Sequence, residues 1–256
     1  MTRKTWPIPW VVLLVVGAFL AGCSDDDGGV RPSNGSNLSE ITVPFAVGNT
    51  WVYATDVDTS TIRTAAAETS RVVGTKTSGD ETYYVLENVT LDGTERVLVR
   101  QAGQDILTTP VVGKAKSQDP FQDWMDQITA ASLPWKIADF DAHAGCQWVE
   151  IDAQSQFTLG GSDVTVRYEV YGKSHGRCSI NVPAGDHSDA YHGEFTTRLT
   201  LMDALGEVTS GMALVQQYWI ADGVGTVKEV LAGSAEMDGG GYTVTKTSEL
   251  SEYELQ

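Results

Sequence analysis

The stretch Val164-Thr165-Val166-Arg167-Tyr168-Glu169-Val170-Tyr171 decides the fold. Apolar Val164, Val166, Tyr168 and Val170 alternate with Thr165, Arg167, Glu169 and Tyr171. A period of two sends successive side chains to opposite faces, so this is a strand with one buried and one largely wet face. Phe195, Leu199 and Leu201 alternate in the same way with Thr196, Arg198 and Thr200. Working outward, strands are also expected over 50–56, 68–76, 82–91, 94–101, 147–158, 208–220, 224–232 and 241–255. The breaks between them carry turn chemistry: Gly79-Asp80, Asp92-Gly93, Gly160-Gly161, Leu205-Gly206 and Asp238-Gly239-Gly240-Gly241. Asp-Gly between apolar runs is a strong hairpin signal, because both residues tolerate positive φ. Strands joined by tight turns form an antiparallel meander, and ten or so of them curl into a barrel or split into two sheets.

One segment departs from this period. Between Asp119 and Ser132, the residues Phe121, Trp124, Met125 and Ile128 recur at helical spacing. Asp119 suits an N-cap, Pro120 the first helical position and Gln122 the third, and Pro134 closes the segment. A short amphipathic helix is expected, its aromatic face either plugging one end of the β core or acting as a lid. Trp124 and Trp135 flank it and are the candidates for lining a ligand cavity. Trp51, Trp148 and Trp219 fall in strand patterns and read as core. The frame Gly-x-x-Trp-Val occurs twice, at Gly48 to Val52 and at Gly145 to Val149, each time opening an expected strand. If that echo is structural, two related half-sheets each supply one wall.

The N-terminus is an address. Arg3 and Lys4 precede an apolar run from Trp10 to Leu20, which is shorter than the roughly 20 residues a membrane-spanning helix needs. This is the pattern of a secretory signal. Leu20-Ala21-Gly22-Cys23 at its end resembles the lipobox of bacterial lipoproteins. The resemblance implies a lipidated Cys23 and removal of residues 1–22. Ser24, rather than aspartate, after the cysteine implies the outer membrane. Two anchoring signals already give stable membrane attachment, so a multiply acylated cysteine would hold the chain firmly. Residues 23–42 then form the lipidated cysteine and a polar, flexible tether, and residues 43–256 a single β-rich domain. With Cys23 committed to lipid, Cys146 and Cys178 remain as an even pair in an oxidising compartment. A disulfide between them is expected. Two buried thiols, an intermolecular bridge and metal ligation shared with His175 are the alternatives.

The 256 residues carry 34 acidic and 17 basic side chains, a formal charge of −17. That balance argues against nucleic acid, whose phosphates need clustered Lys and Arg.

A second resemblance spans most of residues 45 to 253. Phe45-Ala46-Val47-Gly48-Asn49-Thr50-Trp51-Val52-Tyr53 looks like the opening strand of a broad group of exported bacterial lipoproteins. Tyr83-Tyr84-Val85-Leu86, Val182-Pro183-Ala184-Gly185, the run from Tyr218 to Lys228 and Leu250-Ser251-Glu252-Tyr253 follow in the same order. The resemblance implies a mainly β chain, a curved antiparallel sheet or partly closed β-barrel, and no catalytic residues. This chain departs from it in Cys146, Cys178 and a His-bearing stretch after Gly185.

Catalytic spacing is lacking: there is no G-x-S-x-G, H-E-x-x-H or P-loop. Gly223-Val224-Gly225 imitates a dinucleotide fingerprint, but a β-rich stretch follows where a helix is required, so these glycines read as a bend. Asp186-His187-Ser188-Asp189-Ala190-Tyr191-His192, with His175, is the densest polar group and reads as an exposed loop. On one strand His187 and His192, five apart, would face opposite ways, which argues against a metal. No cofactor is expected. The leading reading is a non-enzymatic, outer-membrane-anchored lipoprotein that binds or carries an apolar ligand or a protein partner. A structural lipoprotein with a filled core, and a hydrolase assembled from distant residues, stay open. Replacing Cys23 with Ala should release the chain from membranes or leave it uncleaved; retention of a cleaved chain after a carbonate wash contradicts the anchor.

Overall fold

Alternation of the kind seen at 164–171 runs through twelve strands. They are β1 (Thr50–Thr59), β2 (Arg63–Ser78), β3 (Glu81–Thr90), β4 (Gly93–Ala102), β5 (Asp105–Pro110) and β6 (Trp135–Asp139). Then come β7 (Gln147–Leu159), β8 (Ser162–Val182), β9 (Gly185–Met202), β10 (Val208–Ala221), β11 (Gly225–Met237) and β12 (Gly240–Glu254). The computed structural model describes residues 40–59, 61–90, 93–110, 124, 127, 128, 134–159, 161–237 and 240–256. The signal segment, Cys23, most of the expected tether, and Asp119 to Gln122 with Met125 lie outside the described residues. Trp124, Gln127 and Ile128 are helical, as the spacing predicts.

All twelve strands join one antiparallel sheet in the order β6-β5-β4-β3-β2-β1-β12-β11-β10-β9-β8-β7. β1 pairs with β12 at the centre, and each half of the chain meanders outward to its own edge. The edge strands β6 and β7 are consecutive in sequence, joined by residues 140–146. A flat sheet would hold them about 53 Å apart at eleven strand spacings of roughly 4.8 Å. The chain from Asp139 to Gln147 can reach at most about 29 Å. The sheet therefore curls into a nearly closed barrel.

The two halves open identically. Gly48 and Gly145 both take positive φ, 100° and 91°. Each is followed three residues later by a buried Trp, Trp51 or Trp148. Gly48 N–H donates to the Val72 carbonyl, and Val72 N–H returns a bond to Asn49, at 2.9 and 3.0 Å. Gly145, Ser174 and Cys146 repeat this exchange at 2.7 and 2.9 Å. Asn49 to Ala46 and Cys146 to His143 complete the match, each at 3.0 Å. The repeated Gly-x-x-Trp-Val frame thus has the same backbone geometry in both places.

One end of the barrel is closed by residues 40–46. Ile41 is fully buried, one position short of the boundary expected at 42, so the packed unit reaches into the expected tether. Gln101 holds this segment from one side, accepting from Val43 N–H at 2.9 Å, and Asp222 from the other, accepting from Thr42 N–H at 2.8 Å. The tip of the long β8–β9 hairpin reaches over the same end, where Ala184 N–H donates to the Leu250 carbonyl. Val182 is buried there with Trp51, Val72 and Leu250. Residues 186–192, expected as a loop, belong to the first part of β9.

The outer face is ionic. Glu87 lies between Arg71 and Arg96 at 3.1 and 2.6 Å, Arg167 pairs with Asp152 at 2.9 Å, and Lys228 with Glu249 at 2.6 Å. Charges on a lipid-facing barrel wall cost several kcal/mol near the midplane, so this wall faces water. The inner face packs apolar side chains and carries two close approaches. A Cβ on Gly172 would overlap the Trp148 indole, and one on Gly193 the Tyr218 ring.

The expected disulfide is corrected. Cys146 and Cys178 both stand as thiols. The Cys146 carbonyl accepts a hydrogen bond from the N–H of Ser174, four residues before Cys178 on β8. Ser174 and Cys178 stand opposite Gly193 and Ala190 of β9, three positions apart, a span of roughly 10 Å and beyond the ~7 Å a disulfide bridges.

Replacing Gly172 with Ala should lower stability by about 1–3 kcal/mol through overpacking against Trp148. Gly74→Ala, where an added Cβ meets nothing within 4 Å, serves as the control. Equal urea midpoints for the two variants would contradict the close approach.

Candidate functional site

Barrel closure leaves a lumen. A cavity of about 250 Å³ lies against the concave face, between β1–β5 on one wall and β9–β12 on the other. Its floor, toward the plugged end, is apolar: Val43, Phe45, Trp51, Ile106, Phe195 and Ile220. Farther along the strands the lining turns polar. Lys246 is ion-paired to Glu68 at 2.7 Å, and Glu95 and Glu229 line the same space. Asn88 donates to Glu95 at 3.2 Å and receives a bond from Ser70 at 2.7 Å. Burial raises the Glu229 pKa; Lys246 and a Gln216 hydrogen bond oppose this, while Glu68 and Glu95 add to it. Two aromatic donors are turned into the wall, Trp51 Nε1 to the Val224 carbonyl at 2.6 Å and Tyr53 hydroxyl to the Thr226 carbonyl at 3.0 Å. The Tyr218 hydroxyl likewise donates to the Ile137 carbonyl on edge strand β6.

The expected cavity residues fall elsewhere. Trp135 is 2% exposed and packs in the core with Trp148, Phe140 and Tyr191. Trp124 sets its ring edge-on to Phe157 of β7, centroids 5.5 Å apart, and lies with Ile128 against that core. Neither lines the cavity. A helical period shows that a face is covered, but not which side of the sheet covers it.

Between β6 and β7 no ladder forms, and side chains close the seam. Lys136 bonds Asp139 at 2.9 Å and Asp105 at 3.4 Å, and its ammonium stands 5.8 Å from the Trp148 ring centre. Burial works against the Lys136 charge, but Asp139 and Asp105 prevail and raise its pKa. Glu150 occupies a bulge in β7, between Val149 and Ile151. It is 7% exposed, and neither carboxyl oxygen has a hydrogen-bond partner. Burial pushes its pKa up to about 10, with Lys136 opposing and Asp105 reinforcing. The acid is neutral at pH 7, and no sequence signal marked it, because a bulge breaks the period that assigns faces.

On the outer face the rings of His175 and His192 stack at 4.5 Å, and His192 stacks on Trp219 at 4.3 Å. Burial and the neighbouring His175 lower the His192 pKa, against Gln217 and Glu194. His175 bonds Glu194 at 3.1 Å. His187 lies five residues before His192, in the hairpin extension. Among the described residues no group of three His, Cys, Asp or Glu is placed to hold a metal ion.

No family model matches the chain, and no curated protein is similar to it. Two solved structures are similar over 84% of this chain and 99% of theirs. One is a predicted exported protein with a YmcC-like fold from Bacteroides fragilis, 9% identical with a TM-score of 0.40. The other is a predicted lipoprotein from Parabacteroides distasonis, 10% identical with a TM-score of 0.38. Likeness at this distance transfers no function.

The unfolded chain releases the Glu150 proton near pH ~4.3, the folded chain only near about 10. Stability from this group is therefore complete below the lower value and lost as pH rises toward the higher one. Glu150→Gln, which mimics the neutral acid, should flatten the pH dependence of the urea midpoint between mildly acidic and mildly alkaline buffer. Parallel curves for the two proteins would contradict a neutral Glu150.

Proposed function

We propose that this protein is a non-enzymatic lipoprotein, anchored to the outer membrane through Cys23, that carries a small apolar ligand in the barrel lumen. The observation that carries this reading is the cavity of about 250 Å³ behind a water-facing wall. Ligand pockets run from roughly 300 to 1,000 Å³, so a small or slender ligand fits. An apolar floor under a ring of polar groups is the arrangement such sites use to bind a tail and orient a head. The lipobox resemblance at Leu20 to Cys23 supports the anchor, and the ionic outer wall supports a domain standing in water beside the membrane. A filled structural core fits the lumen less well, since polar side chains there face open space.

Val97 lines the cavity and is 7% exposed. Val97→Trp should occupy the lumen and weaken binding of the neutral probe N-phenyl-1-naphthylamine by about tenfold or more, with the circular dichroism unchanged. Equal probe binding by a folded Val97→Trp variant contradicts the lumen as the site.

A further inference from the structure

We infer that the lumen selects an amphiphile with an apolar tail and a cationic, hydrogen-bond-donating head such as a primary amine, and discriminates against fatty acids and other anions. This rests on the reading of the lumen as a ligand site and specifies its chemistry.

Two independent features meet in one half-open space. The first is the apolar floor formed by Phe45, Trp51, Ile106, Phe195 and Ile220, which suits a hydrocarbon tail and offers no acceptor for a head. The second is the balance of donors and acceptors above it. Trp51 and Tyr53 spend their hydrogens on carbonyls of the β10–β11 turn and β11, and Tyr218 spends its own on β6. Asn88 already gives a bond to Glu95. Lys246, the one cation among the described residues of the lining, is held by Glu68 at 2.7 Å with its side chain 23% exposed.

Against these stand three carboxyl groups, Glu68, Glu95 and Glu229, which offer more acceptor positions than the wall fills. An incoming carboxylate or phosphate would meet three acidic groups and would have to displace Glu68 from Lys246. An ammonium group meets unused acceptors and relieves the mutual repulsion of the carboxylates, a gain that is larger in a partly desolvated lumen than in water. β-Strand register fixes this geometry: Glu229 stands opposite Ser248 and Leu231 opposite Lys246, so the groups share the inner face and cannot rotate out of it.

The test uses decylammonium, decanol and decanoate, equal in tail and different in head. Binding to the full chain in nanodiscs of zwitterionic lipid is read from tryptophan fluorescence, with empty nanodiscs as background. Decylammonium should bind about tenfold more tightly than decanoate, with decanol between them. Glu229→Gln should narrow that ratio, and Lys246→Met should widen it. Equal affinity for all three, or preference for decanoate, overturns the head-group inference while leaving the lumen as a binding site. If none of the three binds, the carrier reading itself fails and this inference with it.

Discussion

The structure depends on a short connection. Residues 140–146 must join the two outermost strands of a twelve-stranded sheet, and a chain of that length cannot cross a flat one. Curling brings β6 and β7 together without pairing their backbones. The gap is instead filled by Trp135, Trp148, Phe140 and Tyr191, with Lys136 and the neutral Glu150 between the edges. An inward-pointing acid at a bulge keeps an exposed edge from recruiting another strand. The lumen follows from the same closure, since a concave face wrapped around itself leaves space wherever its side chains are short or polar.

That space is asymmetric because the two ends are treated differently. Residues 40–46 and the β8–β9 hairpin tip seal one end with Ile41, Val182 and Leu250, all buried. Toward the other end, Thr55, Glu68, Asn88 and Ser248 replace apolar residues on the inner face. The two halves enter the sheet through the same hydrogen-bonded clamp, at Gly48 and Gly145, and each seats a Trp against the inner wall. Positive φ at both glycines lets the chain turn sharply into its first strand.

Most of the strand pattern was legible in the alternation itself. The ten long strands sit where a period of two and Gly-rich breaks place them, as at 162–182 and 225–237. Two short strands were not: Asp105–Pro110 and Trp135–Asp139 carry too few residues for a period to emerge. Residues 186–192 look like a loop because polar side chains dominate, yet their backbone pairs with β8, and Asp186, His187 and Ala190 do so beyond the end of β10. The cysteine pairing failed for a reason local sequence does not contain, namely register, which sets Cys146 opposite Ser174. The cavity was sought beside the aromatic helix, at Trp124 and Trp135. It lies instead where Trp51, Tyr53 and Tyr218 meet carboxylates from three different strands, a convergence that only the sheet order creates.

A crystal structure of the chain purified from membranes tests the account most directly. The account predicts continuous density in the lumen, with an apolar tail between Trp51 and Phe195 and a polar head against Glu68 and Glu229. A lumen filled by the protein's own side chains, with Lys246 and the carboxylates packed against each other and no added density, would contradict it.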